Sequence, residues 1–384
     1  MSERVAVIID AVRTPIGKKN GSLANWRPDD LAAETIKALV QRNNLNPANI
    51  DDVMLGCVTQ VQDQAWNIAR NAALAAGLPI SVPGTTINRL CASSLQACNF
   101  ASQAVRSGDV NLVIAGGVES MTRVPMGSDA GTMSPRILDR FDLIGQGISA
   151  EMIAEKWGFS RQQLDEFSLG SHEKALRFNT KKLSPDSIAR TPHELISVEV
   201  APGTKFVSDE GPRVTNMEKM SRLQPVFKEG GVITAGNSSQ ISDGAAALLI
   251  VDGWYAMKNG MAPRAKIIAT AAVGVDPTVM LTGPIPATRK ALSKAGLEVN
   301  DIDLFECNEA FAPVVLAWMK ELNIDESRVN VNGGAIALGH PLGCSGARLL
   351  TSMLYEMERR GSKYGLATMC IGMGQGVATI IERF

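Results

Sequence analysis

CASSLQACNFASQAVRSG, residues 91 to 108, lies over CSGARLLTSMLYEMERRG, residues 344 to 361, without a gap. Both segments open on a cysteine and close on a glycine. NLVIAGG follows the first and falls over YGLATMC after the second, so each copy reads strand, short turn, helix, strand. One account is that any two such units of an α/β protein look alike. The gapless match favours the other: two similar α/β halves packed together, with a cleft between their equivalent turns.

Working outward, the chain alternates short apolar runs with helical patterns. VAVIID precedes the helical DDLAAETIKALVQRN, and VMLGCV precedes the helical NIARNAALAAG and then TTINRL. Strand and helix alternating at these lengths predict an α/β protein with a largely parallel sheet. From Glu119 to Ser242 the character changes. MTRVPMGSDAGTMSPRILDRFD is loop-like, and QGISAEMIAEKWGFSRQQLDEFSLGSHEKALRF reads as two helices, with Ser160 as N-cap of the second. The strand-like AAALLIV then resumes the α/β pattern. The expected organisation is a first α/β half over 1–118, an inserted helical and loop domain over 119–243, a return to the first half over 244–264, and a second half over 265–384.

The bulk properties narrow the function. The chain has 384 residues, 45% hydrophobic and 20% charged, with a net charge of -1, so no global basic field invites nucleic acid. No apolar run approaches the roughly 18 residues of a membrane helix. The N-terminal MSERVAVIIDAVRTPIGKK has neither signal-peptide nor transit character, so a cytoplasmic location is expected. Six cysteines without a C-x-x-C argue against a disulfide framework. His172, His193 and His340 do not pair at metal-ligand spacing, and no metal site is expected. The dinucleotide, P-loop and serine-hydrolase motifs are missing.

Three stretches carry candidate chemistry. In NRLCASSLQAC, Cys91 precedes a helical run, where backbone N–H groups and the helix dipole favour a thiolate. Cys98, two turns on, reads as a core residue, as do Cys57 and Cys307. In NGGAIALGHPLGCSGAR, residues 332 to 348, His340 stands in a glycine-rich loop at the opening of a helix, facing the Cys91 turn if the halves are equivalent. Cys344 is a rival nucleophile by its position in the second half, and reads as helix packing. In CIGMGQG, residues 370 to 376, Cys370 follows a strand as a candidate general acid and base, and the Gly372 N–H is a candidate oxyanion donor. A cysteine, a histidine and a second cysteine among clustered glycines point to acyl transfer through a thioester.

These stretches, together with NEAFA (308 to 312), DAVRTPIGK (10 to 18) and TAGNSSQISDGAAA (234 to 247), resemble the thiolases. The likeness runs nearly end to end. It implies two α/β halves of similar topology and a loop domain inserted in the first that holds coenzyme A. It implies Cys91 as the acylated nucleophile, His340 as its base and an oxyanion donor, and Asn308 as holder of an oxyanion water. Cys370 is implied as the acid and base that protonates the enolate and deprotonates CoA, a role suited to a thiol pKa near that of CoA. Backbone N–H groups of Cys91 and Gly372 form the second oxyanion hole. Ser239, Ala235, Phe227 and Arg213 match CoA contacts, with Arg213 equally readable as a solvated charge. No cofactor is held permanently; CoA and acyl-CoA are substrates.

Around the acyl pocket, Gly145 and Gln146 replace a His-Met pair of short-chain thiolases, which opens it. Met280 matches a methionine that narrows it, and Phe311 of NEAFA belongs to the same pocket. The expectation is a degradative 3-ketoacyl-CoA thiolase of fatty acid β-oxidation. A biosynthetic acetoacetyl-CoA thiolase is the alternative, and a non-catalytic acyl-CoA or lipid-binding protein of this fold a remote one. A chain-elongating synthase of the superfamily would want two histidines beside its cysteine. The resemblance also implies a homodimer or homotetramer, with a β-oxidation multienzyme complex as a further partner.

Overall fold

The structure, a computed structural model, describes residues 4–182 and 194–384. His193 lies outside the described residues. The strands are β1 (Ala6–Arg13), β2 (Gly17–Lys18), β3 (Asp52–Gly56), β4 (Gly84–Ile87), β5 (Leu112–Ser120), β6 (Val198–Ala201), β7 (Thr204–Phe206), β8 (Ser242–Asp252), β9 (Ala265–Gly274), β10 (Leu304–Cys307), β11 (Tyr364–Ile371) and β12 (Gln375–Arg383). The helices are α1 (Pro28–Arg42), α2 (Ile68–Ala75), α3 (Ser93–Ser107), α4 (Pro135–Leu138), α5 (Gln146–Trp157), α6 (Arg161–Lys182), α7 (Met217–Ser221), α8 (Gly253–Lys258), α9 (Pro284–Ala295), α10 (Ala312–Leu322), α11 (Ala335–Leu338) and α12 (Leu342–Arg360).

The main sheet runs β4-β3-β5-β8-β1 in the first half and β9-β12-β11-β10 in the second, joined where β1 meets β9 at Val7/Lys266 and Ile8/Ala265. Each strand of the second half therefore mirrors one of the first. The sheet is mixed, which corrects the expectation of a largely parallel one. Among the described residues only β3 with β4, β3 with β5, and β10 with β11 pair as parallel strands. The alternation of strand and helix hides two returns. β8 comes back from the inserted segment between β5 and β1 and runs against both. β12 follows β11 through a tight turn at residues 372–374, and a hairpin is antiparallel by construction.

The central strands read as continuous apolar runs because both faces are covered: β5 and β8 are buried along their whole length. α3 and α12 lie inside the molecule, between the two half-sheets. Leu95, Cys98 and Val105 of α3 and Ala347, Leu350 and Met353 of α12 share one core with residues of β5, β8, β11 and β12. α1 and α2 cover the outer face of the first half-sheet, and α9 and α10 that of the second. The result is five layers, helix and sheet by turns.

The inner helices touch because glycine lets them. A Cβ on Gly346 would stand 2.4 Å from the Leu95 nitrogen, and one on Gly56 2.2 Å from that of Ser94. Ser94 Oγ accepts from the Ala347 N–H at 3.0 Å, so two residues 253 apart, equivalent in the sequence match, meet. α3 ends on Gly108 and α12 on Gly361, both left-handed, as the shared terminal glycines suggested.

The segment from 121 to 241 carries α4, α5, α6, the β6–β7 hairpin and α7. Ser160 Oγ accepts from the Gln163 N–H at 3.3 Å, as expected of an N-cap. Buried Arg13 fastens this segment to β1: its guanidinium meets Asp209 at 2.7 and 3.0 Å and Glu194 at 2.9 Å. Among the described residues no helix is long and apolar enough to cross a membrane.

Candidate active site

Cys91 sits on a turn between β4 and α3 that the chain makes through an uncommon backbone state. Leu90 has φ +46°, a left-handed conformation that costs about 1–3 kcal/mol for a branched side chain. Local hydrogen bonds hold it. The Leu90 N–H donates to Asn88 Oδ1 at 2.9 Å, and Ser93 Oγ donates to the Leu90 carbonyl at 2.6 Å while accepting from the Arg89 N–H at 2.9 Å. Cys91 is only 5% exposed.

Burial pushes the Cys91 thiol up, partly offset by hydrogen bonds to the sulfur from the Gly372 N–H and its own N–H. This corrects the expectation of a resting thiolate: in this dry turn the desolvation of charge outweighs the helix terminus. Cys370, at the end of β11, is likewise pushed up, by burial first and then by the Cys91 charge. The expected match between its pKa and that of CoA does not hold, because burial disfavours the charged thiolate.

His340 stands on the loop between α11 and α12. Gly339 before it has φ +107°, and a Cβ there would lie 2.1 Å from Ser242 Oγ. That close approach lets the His340 N–H reach Ser242 Oγ at 2.9 Å and the Gln240 carbonyl at 3.0 Å. Its ring tautomer follows from the network. Ser345 Oγ gives its proton to the Pro341 carbonyl at 2.8 Å, so at 2.6 Å from His340 Nδ1 it can only accept. Nδ1 therefore carries the hydrogen and Nε2 the lone pair. Asn308 Nδ2 donates to that lone pair at 3.3 Å, and Asn308 Oδ1 is buried without a partner. Burial, and then the Arg348 charge, lowers the imidazole pKa to about 3. His340 is thus a neutral base with its acceptor nitrogen beside Asn308.

Asn308 is fixed by the end of β10, where its N–H donates to the Thr368 carbonyl at 3.0 Å. Glu309 next to it accepts from Ser171 Oγ, Asn330 Nδ2 and the Ile336 N–H at 2.7, 2.9 and 3.1 Å, which ties the glycine-rich loop to α6.

The remaining candidates spread outward from this centre. Gln146 is the first residue of α5, and its Nε2 would stand 3.1 Å from a Cβ on Gly372, so its amide lies against the Cys370 turn. A Cβ on Gly145 would meet nothing within 4 Å. Met280 and Phe311 are buried in the same apolar cluster as Cys370. Phe311 meets Phe227 edge to face at 5.9 Å, and Phe227 lies where a Cβ of Gly147 would be. The Ser239 N–H donates to the Ala310 carbonyl at 2.9 Å, and Ala235 is exposed nearby. Arg213 is not brought to the thiols. It is exposed and lines a separate cavity of about 130 Å³ with His172, Thr215 and Lys219.

Cys98 and Cys344 are fully buried with thiols pushed up to about 12, as core residues should be, and Cys57 and Cys307 are buried too. Sequence reasoning missed Ser345, Ser242, Glu309 and Glu119. Ser345 sits five residues after His340 on the first turn of a helix, a spacing that could have flagged it.

Residues 6–253 match the family described as "Thiolase, N-terminal domain" and residues 261–383 that described as "Thiolase, C-terminal domain". The steroid 3-ketoacyl-CoA thiolase of Mycobacterium tuberculosis is 48% identical, over 98% of this chain and 94% of its own. The 3-ketoacyl-CoA thiolase of Aeromonas hydrophila is 46% identical over 98% of this chain and 99% of its own. The acetyl-CoA acetyltransferase of Bacillus anthracis superimposes with a TM-score of 0.89 at 38% identity, covering 100% of this chain and 99% of that one.

Proposed function

The chain belongs to the thiolase family, and on that premise we propose that it cleaves a 3-ketoacyl-CoA with CoA, giving acetyl-CoA and an acyl-CoA two carbons shorter. It is an acyltransferase. Cys91 loses its proton to His340 Nε2 as its sulfur attacks the 3-keto carbon. The C2–C3 bond breaks, leaving the acyl group on Cys91 and an acetyl-CoA enolate. Charge on the enolate oxygen is met by His340 and by a water held at Asn308, whose buried Oδ1 has no protein partner. Cys370 gives its proton to the enolate carbon and takes one from an incoming CoA thiol. That thiolate attacks the acyl carbon, with the N–H groups of Cys91 and Gly372 stabilising the oxyanion, and Cys91 recovers its proton from His340.

The observation that carries this reading is the paired arrangement at rest. The Gly372 N–H favours charge at Cys91 against the effect of burial, and His340 is held as the tautomer that accepts a proton on Nε2. The raised thiols fit a site that ionises only when substrate arrives: a neutral cysteine and a neutral imidazole exchange one proton in the step that needs it. CoA enters along Ser239, Ala235 and Phe227, with Arg213 further out.

The acyl group is of medium or long chain, supported by Gly145 and Gln146, small or flexible residues where short-chain enzymes carry a His-Met pair. Buried Met280 favours the second reading, condensation of acetyl-CoA by a short-chain enzyme. The enzyme works as a homo-oligomer. Support comes from β4, an open sheet edge beside Cys91, near which Trp66 and Ile80 are 93% and 86% exposed. The test is a peptide map after brief mixing with 3-ketooctanoyl-CoA and no free CoA. Hexanoyl on Cys91 is expected. Cys91 that stays free here, yet is acetylated by acetoacetyl-CoA, would move the assignment to the short-chain enzyme.

A further inference from the structure

Glu119 stands at the end of β5 with its carboxylate completely buried, and the reaction above does not use it. Its environment is four N–H donors. Oε1 accepts from the Thr59 N–H at 3.1 Å and Gln64 Nε2 at 2.6 Å. Oε2 accepts from the Val58 N–H and the Gly343 N–H, both at 2.9 Å. Each oxygen has two hydrogen-bond partners and all four point inward, so neither oxygen has an open lone pair for a proton. Burial raises the group, and the N–H donors oppose this. Glu119 is ionised.

Its partners come from different halves. Gly343 is in the first turn of α12, three residues after His340. A Cβ on it would stand 2.8 Å from Glu119 Oε2 and 2.4 Å from the Val118 carbonyl, so the approach needs glycine. Val58 leads to the nucleophile: its carbonyl accepts from Asn88 Nδ2 at 3.0 Å, and Asn88 Oδ1 accepts from the Leu90 N–H at 2.9 Å, one residue before Cys91. One carboxylate thus joins, by short hydrogen-bond chains, the loop that carries the base and the turn that carries the nucleophile. The sequence match between the halves places Gly372 where Glu119 stands in the first half. The same position donates an N–H to the Cys91 sulfur in one copy and accepts an N–H from the base's helix in the other.

We propose that Glu119 is a positioning residue for the acyl-transfer reaction, clamping the start of the His340 helix to the Cys91 turn across the two halves. This rests on the thiolase reading of the site. The clamp sets the distance over which Cys91 hands its proton to His340. Its negative charge, taken alone, disfavours the Cys91 thiolate, so position and charge act on Cys91 in opposite directions.

The experiment uses that opposition. Full-length wild type, Glu119→Gln and Glu119→Asp are compared in thiolysis of acetoacetyl-CoA and 3-ketooctanoyl-CoA, and in alkylation of Cys91 by iodoacetamide at pH 7 followed by peptide mapping. In the Gln variant an NH2 group faces two N–H donors, and the clamp opens. The expected result is a kcat about 100-fold lower, the loss typical of a misplaced catalytic pair, with KM for CoA within about 2-fold. Alkylation of Cys91 slows, since His340 no longer reaches its proton. Faster alkylation would mean that charge alone matters, and that outcome, or a kcat within about 3-fold of wild type, overturns the proposal. The Asp variant keeps the charge and draws it back by one carbon. It is expected to lose kcat by roughly tenfold, and it decides the question if the Gln variant does not fold. Wild type that turns over neither substrate would sink the thiolase reading, and the alkylation rates would still test the clamp.

Discussion

His340 makes a stability prediction that its own substitution isolates. Its imidazole titrates near 6.5 in an unfolded chain and near 3 in the fold. The native state therefore binds fewer protons than the unfolded one as pH falls below 6.5. The stability present above pH 6.5 is lost progressively down to about pH 3. At pH 5, some 1.5 units into that window, the loss from this group is on the order of 2 kcal/mol at about 1.36 kcal/mol per unit. His172, lowered by burial to about 4, adds a loss of the same sign. His340→Asn removes only its own part. Urea unfolding of wild type and variant, at pH 8 and pH 5 and one fixed protein concentration, gives the difference directly. Wild type should lose about 2 kcal/mol more than the variant between the two pH values. Equal losses would show that His340 is protonated in the fold and would refute both its burial and its role as a resting base.

The same neutrality has a kinetic side: kcat/KM for the acylation step should show no limb near pH 6.5, read from single-turnover rates between pH 5.5 and 8. Ser345→Ala takes away the acceptor of His340 Nδ1–H and unfixes the tautomer; kcat should fall by roughly 10- to 100-fold, for a lost buried hydrogen bond of about 1–3 kcal/mol, with KM little changed in steady-state assays. Gly147→Ala puts a methyl into the Phe227 ring, 2.1 Å from Cγ, and should raise KM for CoA while hexanoyl transfer to Cys91 persists in the absence of CoA. Asp209→Ala leaves Arg13 charged and short of a partner in the core, and should cost about 3–5 kcal/mol in urea unfolding.

The architecture was legible where the sequence repeats. Cys91 over Cys344 and Gly108 over Gly361 became two inner helices that touch at Ser94 and Ala347. Helix boundaries followed from Ser160 and the terminal glycines. Strand direction was not legible, because an apolar run such as β8 carries no mark of which way it runs until its neighbours are known. Residue types drew attention to Cys91, His340, Cys370 and Asn308, and the likeness to thiolases gave them roles. Their protonation did not follow from position. A helix start beside Cys91 suggested a thiolate, whereas the buried fraction of that thiol decides its state, and burial is a property of the folded whole. Glu119 escaped for a related reason: its four partners are scattered over the chain from Val58 to Gly343, and no local spacing announces them.

The two innermost helices bear on how the molecule comes into being. Cys91 and His340 belong to opposite ends of the chain, and the layer between the half-sheets exists only once both are made. A polypeptide emerging from the ribosome exposes one bare inner face after its first half is complete, and synthesis of the remainder takes seconds. Contacts of such long sequence separation also form slowly. Recovery of activity in refolding should therefore lag behind recovery of secondary structure. On the proposed reaction, a chain whose second half is not yet made has the Cys91 thiol without His340, and acyl transfer waits for the whole chain.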